Sequence, residues 1–236
     1  MRCILSFAVL FGSFFFTSQS HAVLTPVNPL GEWSSSSSLS LQGIINARGN
    51  TLVDIASDAH QLDDSRDSHW TSIGGSSARM VIEVAGYAPH NTFGLYNVAD
   101  PSQRLEVFAG AVTGGGSASI VSPWSTFGFY TENLNAGFTW HSDTSLNAGG
   151  AKDHMVAYQG KGEMLGLGSD PNNPAGSVLW GSNSYLLGWE DLNLGDWDYN
   201  DMVVVVSNVR PVPDASGTLA LLGVALLAMT AIRRRI

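Results

Sequence analysis

Beyond Gly49 the chain alternates between short apolar runs and breaks made of Gly, Asn, Asp or Pro. The runs occupy 51–55, 79–87, 92–98, 104–109, 117–122, 127–131, 138–141, 154–159, 184–190 and 202–209, with no amphipathic helix of useful length between them. That rhythm predicts an all-β fold, an antiparallel β-sandwich or jelly roll. Polar and apolar positions alternate most clearly in Met80-Val81-Ile82-Glu83-Val84, as burial on one face requires. Met202-Val203-Val204-Val205-Val206 is apolar throughout and predicts a central strand buried on both faces. Before Gly49, the positions of Leu39, Leu41, Ile44 and Ile45 suit a short N-terminal helix and a strand equally well.

The two ends break the rhythm. Met1-Arg2 precedes an apolar run over 4–16, and Ser20-His21-Ala22 then supplies small residues at the cleavage positions, which predicts a secretory signal peptide over 1–22. Cys3, the single cysteine, leaves with it, so disulfides, thiol catalysis and cysteine-ligated zinc are excluded from the mature chain. A serine-rich flexible lead-in is predicted over 23–38 and the β domain over 39–210. At the other end 218–232 is apolar, and Arg233, Arg234 and Arg235 follow at once. Fifteen helical residues reach only about 22 Å, short of a hydrocarbon core of roughly 30 Å. Anchoring there needs Ser216, Gly217 and local thinning to help. The arginines predict a cytoplasmic end, with the domain on the outside.

Composition narrows the function. Twenty acids face 11 bases, a formal charge of −9, against the cationic footprint that a nucleic-acid binder needs. A hydrophobic fraction of 44% is too high for a disordered chain.

Charge is concentrated in one place. Glu190, Asp191, Asp196, Asp198 and Asp201 put five carboxylates into twelve residues between the last two predicted strands, with no Lys or Arg from 162 to 209. Two carboxylates about 5 Å apart repel by roughly 1–3 kcal/mol at effective dielectrics of 80 to 20. Water or a cation must screen them. Asp196, Asp198 and Asn200 stand at i, i+2 and i+4, an oxygen spacing with which calcium loops begin, and Glu190, Asp191 and Asp201 add further oxygens. Asp201 and Ser207 occupy the places where an EF-hand needs Gly and Glu, so it is no EF-hand. Ca²⁺ is the expected cofactor, through all six residues. A solvated turn whose Asp and Asn side chains bond their own backbone is the competing reading, and a catalytic carboxylate pair is a third.

Two resemblances rest on these residues. Val212-Pro213-Asp214, the small residues Ala215-Ser216-Gly217, an apolar stretch and an arginine cluster resemble the PEP-CTERM type of sorting tail in its VPDSG variant, with Ala215 as an extra residue. The resemblance implies a sorting signal over 211–236 read by an exosortase in the inner membrane of Gram-negative bacteria. It further implies transient anchoring there and release to the cell surface or exopolysaccharide matrix. Trp189-Glu190-Asp191 followed by Asp196-Trp197-Asp198-Tyr199-Asn200-Asp201-Met202-Val203 resembles the domain-of-unknown-function family 4114. Glu83-Val84-Ala85-Gly86-Tyr87, Asn91-Thr92-Phe93-Gly94-Leu95-Tyr96 and Phe127-Gly128-Phe129-Tyr130 fit that family in order, Leu95 standing where Ile is usual. It implies a secreted β domain with a calcium-binding acidic signature and assigns no activity.

Weaker candidates remain. His60 and His69 lie among Asp58, Asp63, Asp64 and Asp67, a second cation site or a solvated acidic loop, and Asp153-His154 offers an oxygen from a neighbouring strand. His141-Ser142-Asp143 has triad residue types, but consecutive residues cannot form a relay. Trp197, in the acidic turn, is the tryptophan placed for sugar stacking. The expected function is a non-catalytic surface or matrix protein stabilised by Ca²⁺, in contact with extracellular polysaccharide and not with nucleic acid. A glycan-binding module or a glycan-processing enzyme is the alternative.

Overall fold

The computed structural model describes residues 24–27, 41–42, 44, 61–83, 88–110, 116–149, 153–166, 177–192 and 197–213. Eleven strands follow in chain order: β1 (Trp70–Glu83), β2 (Asn91–Asn97), β3 (Asp100–Ala109), β4 (Ser117–Ser119), β5 (Phe127–Asn133), β6 (Phe138–His141), β7 (Met155–Gln159), β8 (Glu163–Gly166), β9 (Ser177–Trp180), β10 (Ser184–Trp189) and β11 (Met202–Pro211). Nine of them form one sheet in the order β3-β2-β5-β1-β11-β10-β7, with β4 beside β1 and β6 beside β5, while β8 and β9 pair separately. The strand pairs are antiparallel. The all-β expectation holds, with one large sheet rather than a closed barrel.

The sheet folds over a shared interior. Phe93 and Leu95 of β2, Phe127 and Phe129 of β5, and Trp70 of β1 pack with Met155 and Ala157 of β7, Leu187 and Trp189 of β10, and Val204 and Val206 of β11. Phe93 meets the Trp189 ring edge-on at 6.3 Å, and Trp70 meets Tyr185 at 4.8 Å. The intervening residues of β7, β10 and β11 form a second core: Val156, Tyr158, Leu186, Val203 and Val205, with Leu41, Ile44, Leu165, Trp180 and Tyr199. Strand parity explains why Met202 to Val206 reads as one apolar run: even positions fill the first core and odd positions the second.

The ambiguous segment before Gly49 is helical at Leu41, Gln42 and Ile44, and two of its apolar residues are fully buried. β1 begins at Trp70 rather than at 79, because its first half is polar and carries Gly74 and Gly75 (φ 105° and 57°) where the register slips between Ser72 and Ser77. The β8–β9 hairpin is an addition, its pattern blurred by exposed Met164 and Leu179 beside buried Leu165 and Trp180. The predicted strand at 51–55 and residues 84–87 lie outside the described residues.

Candidate cation site at the β10–β11 turn

β10 and β11 pair from Ser184↔Ser207 to Trp189↔Met202, and the acidic residues extend this hairpin beyond its last rung. Alternation sends Glu190 and Asp191 to opposite faces. Glu190 turns to the side of the second core, where its Oε1 accepts from the Tyr199 N–H at 2.6 Å. Asp191 turns to the first core, where its Oδ2 accepts from Asn91 Nδ2 at 2.9 Å and from Asn133 Nδ2 at 3.3 Å. Those amides belong to the start of β2 and the end of β5, so Asp191 ties the hairpin to the facing half of the sheet.

Asp201 Oδ2 accepts from the Asp191 N–H at 2.9 Å, and Asp198 Oδ2 accepts from Asn200 Nδ2 at 2.7 Å. Glu190, Asp191, Asp198 and Asn200 are all buried, and the bonds of Glu190 and Asp201 to backbone N–H groups are those of a turn whose acidic side chains cap its own main chain. Burial, then the charge of Asp191 and further that of Asp198, push the Asp201 carboxyl up to about 8.

The loop folds back across the second core through one glycine. A Cβ on Gly188 would stand 2.7 Å from the Tyr199 carbonyl oxygen. Trp197 and Tyr199 both take left-handed backbone, φ 62° and 50°, and Trp197 is 40% exposed. Such conformations cost non-glycine residues roughly 1–2 kcal/mol each. Behind the turn His154 stacks on Trp140 at 3.5 Å and 6°, and Trp140 Nε1 donates to the Asp191 carbonyl at 3.2 Å.

Of the six predicted ligands, the structure joins Asp201 to the Asp191 N–H, uses Asn200 as a donor to Asp198, and faces Glu190 toward Tyr199. Asp196 lies outside the described residues, and among those described no three carboxylate or imidazole groups meet at a metal-binding point. Asn91 and Asn133 are the residues that sequence reasoning missed. A carboxylate only accepts, so Asp191 fixes both amides with nitrogen toward it. Asn91 Oδ1 is thereby left fully buried, with no hydrogen-bond partner among the described residues. A hard cation is one way to satisfy such an oxygen among carboxylates.

A second acidic group assembles elsewhere. Asp63 caps the short helix Asp64–Asp67, and Asp153 enters from before β7. The Thr25 hydroxyl, from the predicted lead-in, contacts both Asp64 and Asp153, while Gln61 Nε2 donates to the Thr25 carbonyl at 2.9 Å. Burial raises Asp64 and lifts Asp153 to about 7. Burial also raises Asp67 well above its ordinary range, with the charges of Asp153 and Asp64 adding to it. Asp63 goes the other way: burial opposes it, but the Ser65 hydroxyl and Arg66 at 2.5 Å lower it. Asp58 and His60 lie outside the described residues.

His69 instead holds Asp143 at 3.2 Å, which brings that carboxyl down to about 2. His141 is buried against Tyr96 and falls to about 4, through burial and then Arg104. His69 and Asp143 line a cleft of about 630 Å³ with Asp64, Ser68, Val212 and Pro213. Pro211 pairs with Trp70, and the Val212 N–H donates to the His69 carbonyl at 2.8 Å.

The family model of the VPDSG-CTERM motif matches residues 211–236. No curated protein and no solved structure matches the chain. The VPDSG-CTERM tail marks an exported, surface-directed protein, and such tails are generally recognised by exosortase-type enzymes. Val212 and Pro213 of the motif lie in the folded domain. Asp214, Ser216, Gly217, Arg233, Arg234 and Arg235 lie outside the described residues, as does the signal peptide. Among the described residues no helix is long and apolar enough to cross a membrane.

Proposed function

We propose that this is a secreted, non-catalytic surface or exopolysaccharide-matrix domain stabilised by Ca²⁺ at the β10–β11 turn, akin to the domain-of-unknown-function family 4114. The carrying observation is the fully buried Asn91 Oδ1 beside Asp191, which has no hydrogen-bond partner among the described residues, in a group where the charges of Asp191 and Asp198 raise the Asp201 carboxyl. In this reading the ion draws Asp191, Asp198, Asp201 and the Asn91 carboxamide to one point, where without it no three carboxylates meet among the described residues, with Asp196 completing the set. Glu190 and Asn200 position the loop. Because Asn91 and Asn133 sit on the facing half of the sheet, the ion fastens the turn to the sandwich rather than closing a free loop.

An exosortase-type enzyme handles the tail and delivers the domain to the outside. Exposed Trp197 gives the surface near the ion a flat apolar face suited to a sugar ring. The test is thermal melting of the mature domain with millimolar Ca²⁺ and with EDTA. Ca²⁺ is expected to raise the melting temperature by several degrees; identical curves remove the metal from the account.

A further inference from the structure

We infer that two copies of this chain join edge to edge through β3, each strand antiparallel to the other about a two-fold axis at Leu105. The inference stands apart from the cation reading above. β3 ends the order β3-β2-β5-β1-β11-β10-β7, and among the described residues no strand pairs with its other side. The main-chain N–H and C=O groups along such an edge are a template for a further strand. Ser102 to Glu106 are all exposed, so the fold leaves the middle of this edge open. The opposite edge is treated differently: β7 is short and largely buried, and Gln61 bridges to its Tyr158.

Both faces of β3 suit a second copy of the same strand. Leu105 lies opposite Leu95 of the first core, yet it is 37% exposed, an apolar side chain at the uncovered rim of that core. The other face carries charge. Arg104 stands opposite Tyr96, its guanidinium 5.1 Å from the Tyr130 ring centre and 3.6 Å from Glu132, and Glu106 stands opposite Gly94. Antiparallel pairing centred on Leu105 sets Arg104 of each copy against Glu106 of the other, because a two-fold axis makes every contact twice. One register therefore gives two opposite-sign pairs around a leucine pair. Centring on Arg104 or on Glu106 instead would set like charges directly opposite, which disfavours pairing. Charge on an edge strand usually repels a partner; here its order along the strand makes the edge complementary to itself. Pro101 has no N–H to offer, and the register against β2 slips beside Val107, so regular pairing is confined to the centre of β3. The interface is small, and the dimer is a reversible one.

Sedimentation equilibrium of the exported protein, recovered from cells, tests the pairing. The parent should move from one to two chains per particle as its concentration rises. Arg104→Glu and Glu106→Arg should each stay monomeric, since each places like charges across the two-fold axis. An equimolar mixture of the two variants should recover the dimer, because one then offers two carboxylates to the two guanidinium groups of the other. That recovery also shows that both variants are folded. A parent that stays monomeric overturns the inference. So does a single variant that dimerises like the parent, or a mixture that remains monomeric.

Discussion

Two groups of acidic side chains in this domain meet the same electrostatic problem with different means. At the β10–β11 turn the carboxylates are surrounded by N–H donors: Glu190 by the Tyr199 amide, Asp191 by two asparagine side chains, Asp201 by the Asp191 amide, and Asp198 by Asn200. Around Thr25 the Met155 N–H donates to Asp153 Oδ1 at 3.1 Å, on the far oxygen from the threonine. One hydroxyl faces both Asp64 and Asp153, and a hydroxyl has a single proton to give. A second proton on one of those carboxyls completes the contact, and burial of Asp153 and Asp67 favours it. At the turn the amide donors hold the carboxylates in place, while burial and the neighbouring charges still raise Asp201 to about 8. The Thr25 group is built to lose negative charge, so it suits protons and clasps the N-terminal segment to the domain.

Substitutions at the two centres should therefore differ in sign. Asp191→Ala strands two buried amide donors, at roughly 1–3 kcal/mol each, and is expected to destabilise the domain by about 2–5 kcal/mol in chemical denaturation. A neutral result breaks the claim that the turn is organised around Asp191. Asp67→Asn keeps the shape and removes a buried charge. It should stabilise by about 1–3 kcal/mol at pH 8 and change little at pH 4, where the parent carboxyl is already neutral. Destabilisation at pH 8 would show that Asp67 works ionised.

Without metal the pH dependence follows from Asp153 at about 7 and Asp201 at about 8, against an ordinary value of 3.8. Both are raised, so between pH 4 and 8 the folded state holds protons that the unfolded chain has released. Their contribution is complete below about pH 4 and is lost as pH rises through 7 and 8, with a slope of up to about 1.4 kcal/mol per pH unit per group. Urea titrations in EDTA should show this decline, and Ca²⁺ should flatten the part owed to Asp201 by taking the place of its proton. A stability that rises over that range would contradict both assignments. The smallest effect is expected at Trp197→Gly, which relieves a left-handed backbone by about 1 kcal/mol while removing the exposed ring. A loss of stability there would mean that the ring packs rather than waits for a ligand.

Periodicity made part of this legible. The run from Met202 to Val206 announced a strand covered on both faces, and of the carboxylates near one turn the fold buries Glu190, Asp191 and Asp198. What was hidden is what lies far apart in the chain. Asn91 and Asn133 reach Asp191 across 100 and 58 residues, and Thr25 reaches Asp153 across 128. Asparagine at a strand end looks like a turn residue until the sheet folds and brings it against a carboxylate. The separation of Glu190 from Asp191 was readable in principle, since adjacent residues extending a strand face opposite ways. Proximity in sequence gathered all six residues into one ligand set, and strand parity divides them.

Calcium titration by isothermal calorimetry tests the central claim most directly, using the mature domain and two variants. The parent should bind one ion at the turn; Asp198→Asn should abolish or greatly weaken that binding. Asp100→Asn, at a part-exposed residue of the β2–β3 turn whose carboxylate accepts from Ser102 and Gln103, should bind like the parent. No heat of binding in the parent, or equal binding in Asp198→Asn and Asp100→Asn, would contradict a cation held at the β10–β11 turn.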